Sequence, residues 1–234
     1  MKKTIGILGG MGPLATADLY HKIVVMTKAS CDNDHIRVYI DSNAQIPDRT
    51  TAILKGGKDP VEEMTSALRH LEACGADCII MPCNTAHYFL PRLQPLTETP
   101  FISILESTAK RCAKQFPGKK AGILGTTGTL NTGIYTKALA EQGVDSVLPN
   151  EAQREVLMDA IYRVKAGEVL TDVAPFRALL DEMKAQGADY FILGCTELPI
   201  VAEQLKLPDD FIDPTTELAR AAITFCGYEV NEGF

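Results

Sequence analysis

Two cysteines in matching surroundings stand out as residues that could do chemistry. Gly75-Ala76-Asp77-Cys78-Ile79-Ile80-Met81-Pro82-Cys83-Asn84-Thr85 aligns without a gap on Gly187-Ala188-Asp189-Tyr190-Phe191-Ile192-Leu193-Gly194-Cys195-Thr196-Glu197, 112 residues further along. A thiol with a free pKa of about 8.5 works as a base near neutral pH once neighbouring N–H groups or a positive helix end favour the thiolate. Asn84-Thr85-Ala86-His87 after Cys83, and Thr196-Glu197-Leu198-Pro199 after Cys195, are turns expected to supply that setting. Inverting a tetrahedral carbon through a carbanion requires removal of a proton from one face and delivery of another to the opposite face. A thiolate and a thiol, exchanging roles for the reverse direction, satisfy that requirement. Cys31, Cys74, Cys78, Cys112 and Cys226 occupy no matched positions and are expected to be buried apolar side chains.

The elements that must position these thiols follow from the hydrophobic pattern. Short aliphatic or β-branched runs alternate with amphipathic stretches, the pattern of a parallel sheet covered by helices. Strands are expected at Thr4 to Leu8, Ile36 to Ile40, Cys78 to Met81, Ala121 to Leu124, Tyr190 to Leu193 and Phe211 to Ile212. Helix starts are marked by Pro13, by Asp59-Pro60 and by Asp213-Pro214-Thr215. Gly6-Ile7-Leu8-Gly9 also matches Gly122-Ile123-Leu124-Gly125, and Phe101-Ile102 before a helix matches Phe211-Ile212 before a helix. The repeat therefore predicts an α/β protein of two similar lobes related by a pseudo-twofold duplication, residues 1–102 with 213–234 and residues 103–212. Each lobe carries a parallel sheet flanked by helices. Ligands of doubly wound sheets bind outside the carboxyl ends of the strands, where both cysteine turns fall, so an active site in the cleft of the two lobes is expected.

Supporting residues have a functional and a bland reading each. Arg49 lies in a Pro-Asp-Arg-Thr-Thr segment read as a loop, where it could clamp a carboxylate with two parallel hydrogen bonds or stay solvated. Lys165, near a helix end, could complement the helix dipole. The turns Gly9-Gly10-Met11-Gly12-Pro13 and Gly125-Thr126-Thr127-Gly128-Thr129 offer N–H groups and hydroxyls to an anion, which makes Met11, Thr126 and Thr127 candidates for substrate binding. Asn84, Thr85 and Thr196 adjoin the thiols and could hold substrate or cap helices. His87 and Glu197 could tune the thiols, although a lone histidine at a helix start is more often structural.

Composition narrows the function classes. With 23 basic and 30 acidic residues the formal charge is -7, and no Lys/Arg cluster marks a nucleic-acid or membrane surface. No apolar run approaches the roughly 20 residues of a membrane span, and Met1-Lys2-Lys3-Thr4 leads straight into a strand pattern, so a cytoplasmic location is expected. Seven cysteines without a C-x-x-C pair suggest neither a disulfide framework nor structural zinc, and no metal site is expected.

Gly9-Gly10-Met11-Gly12-Pro13, Ile46-Pro47-Asp48-Arg49-Thr50, Met81-Pro82-Cys83-Asn84-Thr85-Ala86-His87 and Gly194-Cys195-Thr196-Glu197-Leu198-Pro199 together resemble the aspartate/glutamate racemase family over essentially the full length. The resemblance implies a two-lobed racemase without pyridoxal phosphate or other cofactor, with catalytic thiols at Cys83 and Cys195. It also implies an acidic amino acid as substrate, carboxylate contacts from Arg49 and Lys165, and a homodimer. Dedicated glutamate racemases usually carry histidine where Glu197 stands, which favours the aspartate branch. Relatives with one of the two thiols include diacid isomerases and decarboxylases, so an enzyme of that kind is an alternative. A non-catalytic amino-acid-binding protein is another. Gly10-Met11-Gly12-Pro13-Leu14-Ala15 loosely fits a dinucleotide fingerprint, but Asp41 comes too late for a ribose-binding acid and the cysteine repeat would be left unexplained.

Overall fold

The computed structural model of the chain describes residues 2–208, 210–231 and 233. The elements run β1 (Ile5–Gly9), α1 (Pro13–Met26), β2 (Val38–Ser42), α2 (Arg49–Lys55), α3 (Val61–Ala73), β3 (Cys78–Ile80), α4 (Leu90–Leu93), β4 (Phe101–Ile102) and α5 (Ile104–Gln115). They continue with β5 (Ala121–Leu124), α6 (Thr127–Thr132), α7 (Ile134–Glu141), β6 (Ser146–Val147), α8 (Glu151–Lys165), α9 (Ala174–Ala185), β7 (Tyr190–Leu193), α10 (Leu198–Gln204), β8 (Phe211–Ile212) and α11 (Pro214–Phe225). Two parallel four-stranded sheets result, in the orders β2-β1-β3-β4 and β6-β5-β7-β8. The chain divides into two compact units, one of residues up to Ser107 with those from Thr215, the other Thr108–Pro214. Among the described residues no helix is long and apolar enough to cross a membrane.

The repeated Gly-Ala-Asp has a physical reason at each of its three positions. Gly75 and Gly187 adopt φ of +88° and +101° after α3 and α9, a left-handed conformation that favours glycine and turns the chain back toward the sheet. Ala76 and Ala188 are buried against Gly6 and Gly122, where an added Cβ would come within 2.8 Å and 3.2 Å of the alanine methyls. Asp77 accepts from the Thr4 N–H at 2.7 Å and returns its own N–H to the Thr4 carbonyl at 2.9 Å. Asp189 repeats the exchange with Lys120 at 2.8 Å and 2.9 Å. The central strands are thereby locked to each other at their starts, which fixes where their far ends, and the cysteines beyond them, emerge.

Each unit has its own core. In the first, Met64, Leu68 and Leu71 of α3 pack on Leu8, Ile79, Met81, Phe89 and Leu93. In the second, Leu157 and Ile161 of α8 and Phe176, Leu180 and Met183 of α9 pack on Leu124, Phe191, Leu193 and Val201. Every residue of β1, β3, β5 and β7 is buried, as central strands of a helix-covered parallel sheet must be.

Several local expectations are corrected. The strand expected at Ile36 to Ile40 lies at Val38–Ser42, where its register with β1 pairs Ile5 with Val38. The edge strand β6 was not anticipated, because two residues without an apolar run give no periodic signal. Arg49 does not lie in a loop: it is the first residue of α2, whose N-cap Asp48 accepts from the Thr51 N–H at 2.7 Å. Cys31 and Cys74 are exposed, whereas Cys78, Cys112 and Cys226 are buried.

Candidate functional site

Cys83 and Cys195 occupy the same place in their respective sheets, just past the carboxyl ends of β3 and β7, the strands paired with β1 and β5. Both belong to the edge of their unit's core and are nearly buried, with 8% and 7% of their surface exposed.

In the first unit the Cys83 N–H bonds the Met81 carbonyl at 2.8 Å, a tight turn that lifts the cysteine off the strand. The buried residues Asn84, Thr85 and His87 follow, the latter two in a 3-10 turn at Thr85–Phe89. Asn84 makes no side-chain capping bond there, so a long, capped helix end does not face Cys83. His87 Nε2 accepts from the Ile104 N–H at 3.2 Å, which places the ring proton on Nδ1, and Nδ1 donates to the Cys83 carbonyl at 2.9 Å. Burial lowers its pKa to about 4, against a smaller opposing effect of the Cys83 carbonyl. The imidazole is therefore neutral and pins the backbone of Cys83 to the first residue of α5.

The Arg49 guanidinium donates to the carbonyls of Ile46 at 3.2 Å, Pro47 at 3.0 Å and Met11 at 3.3 Å. Its Nε is buried and bonds no described residue. The arginine thus ties the α2 start to the turn after β1 and keeps Nε–H among the donors left over. The Met11 side chain points into the core, leaving only its backbone for a ligand. Gly10 has φ +90° and an added Cβ would lie 2.3 Å from the Asn43 backbone, so only glycine fits. Its N–H is taken by Thr16 Oγ1 at 2.9 Å rather than offered outward.

The second unit holds a connected polar group. Gly194 occupies the position of Pro82 because an added Cβ would meet the Leu124 carbonyl at 2.6 Å and the Tyr135 ring at 3.2 Å. Cys195 Sγ donates to Glu197 Oε2 at 2.9 Å, Thr196 Oγ1 donates to the same oxygen at 3.2 Å, and Lys165 Nζ, at the last residue of α8, stands 4.0 Å from Glu197 Oε1. Burial, followed by the Glu197 carboxylate, pushes the Cys195 thiol well above its usual pKa, against a smaller pull from Lys165. This corrects the expectation of a thiolate-favouring turn at Cys195: burial first, and the neighbouring carboxylate second, disfavour a negative charge on the sulfur, which favours the thiol. Thr126 caps α6, accepting from the Thr129 N–H at 3.2 Å, and the Thr127 N–H points at Met158 Sδ at 3.3 Å.

The residues singled out from the sequence thus fall into two sets. Met11, Arg49, Asn84, Thr85 and His87 lie with Cys83 in the first unit; Thr126, Thr127, Lys165, Thr196 and Glu197 lie with Cys195 in the second. Sequence reasoning missed Tyr135 of α7, a fully buried phenol held neutral mainly by burial, against an opposing hydrogen bond with Thr108 and with smaller contributions from Cys112, Asp213 and, least, Cys195. One aromatic in an ordinary helix pattern gives no signal of that.

A family profile described as Asp/Glu/Hydantoin racemase matches residues 8–222. The chain is 30% identical to the broad specificity amino-acid racemase RacX of Bacillus subtilis, over 96% of this chain and 99% of that protein. An aspartate racemase structure from Picrophilus torridus superposes with a TM-score of 0.86 at 29% identity, covering 99% of this chain and 97% of the other. An aspartate racemase homologue from Pyrococcus horikoshii superposes with a TM-score of 0.77 at 26% identity, covering 96% and 99%.

Proposed function

Since the chain belongs to the Asp/Glu/hydantoin racemase family, we propose that it interconverts the enantiomers of a small acidic amino acid, aspartate first and glutamate second, through Cys83 and Cys195 and without a cofactor. The observation that carries this reading is the equivalence of the two thiols, each just past the central strand of a sheet with the same strand order. For one enantiomer the Cys83 thiolate takes the α-proton and becomes a thiol, while the Cys195 thiol delivers its proton to the opposite face and becomes the thiolate. The other enantiomer uses the reverse assignment. Arg49, with its spare Nε donor, and Lys165 are assigned to the substrate carboxylates. Asn84, Thr85, Thr126, Thr127 and Thr196 are assigned to its remaining polar atoms.

Aspartate is placed ahead of glutamate because Glu197 stands where dedicated glutamate racemases usually carry histidine, and because the Picrophilus torridus protein is an aspartate racemase. The methylene that separates the two substrates is worth about 1 to 3 kcal/mol of discrimination in a fitted pocket. The match to a broad specificity racemase favours a wider substrate range as a second reading. The seven free thiols suit a reducing compartment, and we assign the enzyme to the cytoplasm; a homodimer is proposed on the family resemblance alone.

The test is a cofactor-free assay of the purified protein against both enantiomers of aspartate, glutamate and alanine and a chiral hydantoin, followed by circular dichroism, with maleate followed alongside by ultraviolet absorbance. Racemisation of aspartate above the others supports the reading. Comparable rates with alanine support the broad-range alternative. Turnover of maleate alone would replace the racemase with a diacid isomerase, and binding of aspartate without turnover would make the chain a binding protein.

A further inference from the structure

The three contacts on Glu197 have a consequence for the proton inventory of the enzyme. Its Oε2 accepts from both the Cys195 thiol at 2.9 Å and the Thr196 hydroxyl at 3.2 Å, while Oε1 faces the Lys165 ammonium at 4.0 Å. Glu197 is nearly buried, and Cys195 is 7% exposed, so bulk water screens this group weakly. We propose that Glu197 is the positioning residue that keeps the resting proton on Cys195, with Lys165 as the counterweight that limits how tightly it is kept.

The role rests on the racemase reading above, but its chemistry is local. Once Cys195 gives up its proton, a thiolate and a carboxylate stand 2.9 Å apart, an arrangement that like-charge repulsion disfavours. Burial and this repulsion together favour the form with Cys195 protonated in the free enzyme, so the enantiomer that needs Cys195 as donor meets the resting form, whereas the other needs the proton moved to Cys83 first. The charged and titratable groups facing the thiol are Glu197, Lys165 and the buried phenol of Tyr135, which stays neutral. Beside burial, the Glu197 carboxylate opposes ionisation of Cys195, while the Lys165 charge and, more weakly, the Glu197 backbone N–H favour it. The sequence marks Glu197 as a residue that could tune the thiol; the side-chain geometry gives the direction of that effect.

The two charges make opposite predictions, which a purely structural role would not. In a Cys83→Ser background, which removes the other site thiol, the alkylation rate of Cys195 by iodoacetamide is followed against pH with the modified peptide identified by mass. Thiolate reacts and thiol does not, so the midpoint reports the ionisation of Cys195 directly. Glu197→Gln, close in shape but uncharged, is expected to lower that midpoint by about one pH unit or more, and Lys165→Met to raise it. Glu197→Asp keeps the charge but shortens the reach, and is expected to fall in between. An unchanged midpoint in Glu197→Gln, or shifts of the same sign in Glu197→Gln and Lys165→Met, would overturn the assignment. If Glu197→Gln fails to fold, the direction of the Lys165→Met shift decides alone: a rise supports the counterweight, and no rise removes it. Because alkylation needs no turnover, its outcome is separate from whether wild type racemises an amino acid.

Discussion

Cys83 and Cys195 have equivalent positions but different company, and the difference gives each a part. The Cys83 carbonyl is held by a neutral His87, whereas the Cys195 thiol itself is held by the Glu197 carboxyl group. A general acid or base at this kind of reaction contributes on the order of 10²- to 10⁴-fold, so replacing either cysteine by alanine is expected to cut racemisation at least that far, read as the rate of optical rotation change. Arg49 answers to a different test. Its fork spans three carbonyls and leaves Nε over, a geometry that a lysine ammonium cannot reproduce. Arg49→Lys is expected to raise KM for aspartate about tenfold or more, and an unchanged KM in steady-state kinetics would remove it from the substrate site. The two thiols were legible in the sequence through their matched positions. The proton that Glu197 holds on Cys195 was not, because a cysteine before a polar turn reads as an activated thiol until the direction of the neighbouring carboxylate is known.

At the scale of elements, the Gly-Ala-Asp motif shows why a repeat survives at some positions and not others. Asp77 and Asp189 are exposed, so their equivalence owes nothing to burial; each closes a pair of bonds at the start of a central strand. Asp77→Ala and Asp189→Ala are each expected to cost about 1 kcal/mol in denaturant unfolding, with racemisation retained. Gly122→Ala places a methyl 2.5 Å from Phe191 Cδ1 and 3.2 Å from the Ala188 methyl, and is expected to cost about 1 to 3 kcal/mol by overpacking. His87 links an element to pH. The unfolded chain takes up a proton below a pKa of about 6.5 while the folded one holds off until about 4, so stability is complete above 6.5, falls between 6.5 and 4, and then levels. The contribution lost is on the order of 3 kcal/mol, and His87→Gln is expected to flatten that part of a stability profile measured by urea unfolding. Long elements with buried faces were readable from periodicity alone. The short α2 carried a readable Asp48 cap but little apolar pattern, and β6 exists only because Ala121 and Gly122 of β5 pair with Ser146 and Val147.

The whole molecule is two copies of one plan, each a parallel four-stranded sheet with its own core and a cysteine after the strand next to the first. That much is written in the 112-residue spacing of the matched segments, since a shared pattern of glycines, strands and cysteines implies a shared fold. The net charge of -7 suits a small-molecule enzyme better than one that tracks a polyanion. A cofactor-free enzyme is expected to keep its full rate after dialysis against a chelator and after treatment with borohydride, which would destroy any pyridoxal phosphate adduct. The most direct test follows the α-proton of L-aspartate by NMR in deuterated water for wild type, Cys83→Ser and Cys195→Ser. The account predicts D-aspartate carrying deuterium at the α-carbon with wild type and no enantiomer with either variant. Racemisation that persists in either variant, or a wild type that exchanges no α-proton of aspartate or glutamate, would contradict it.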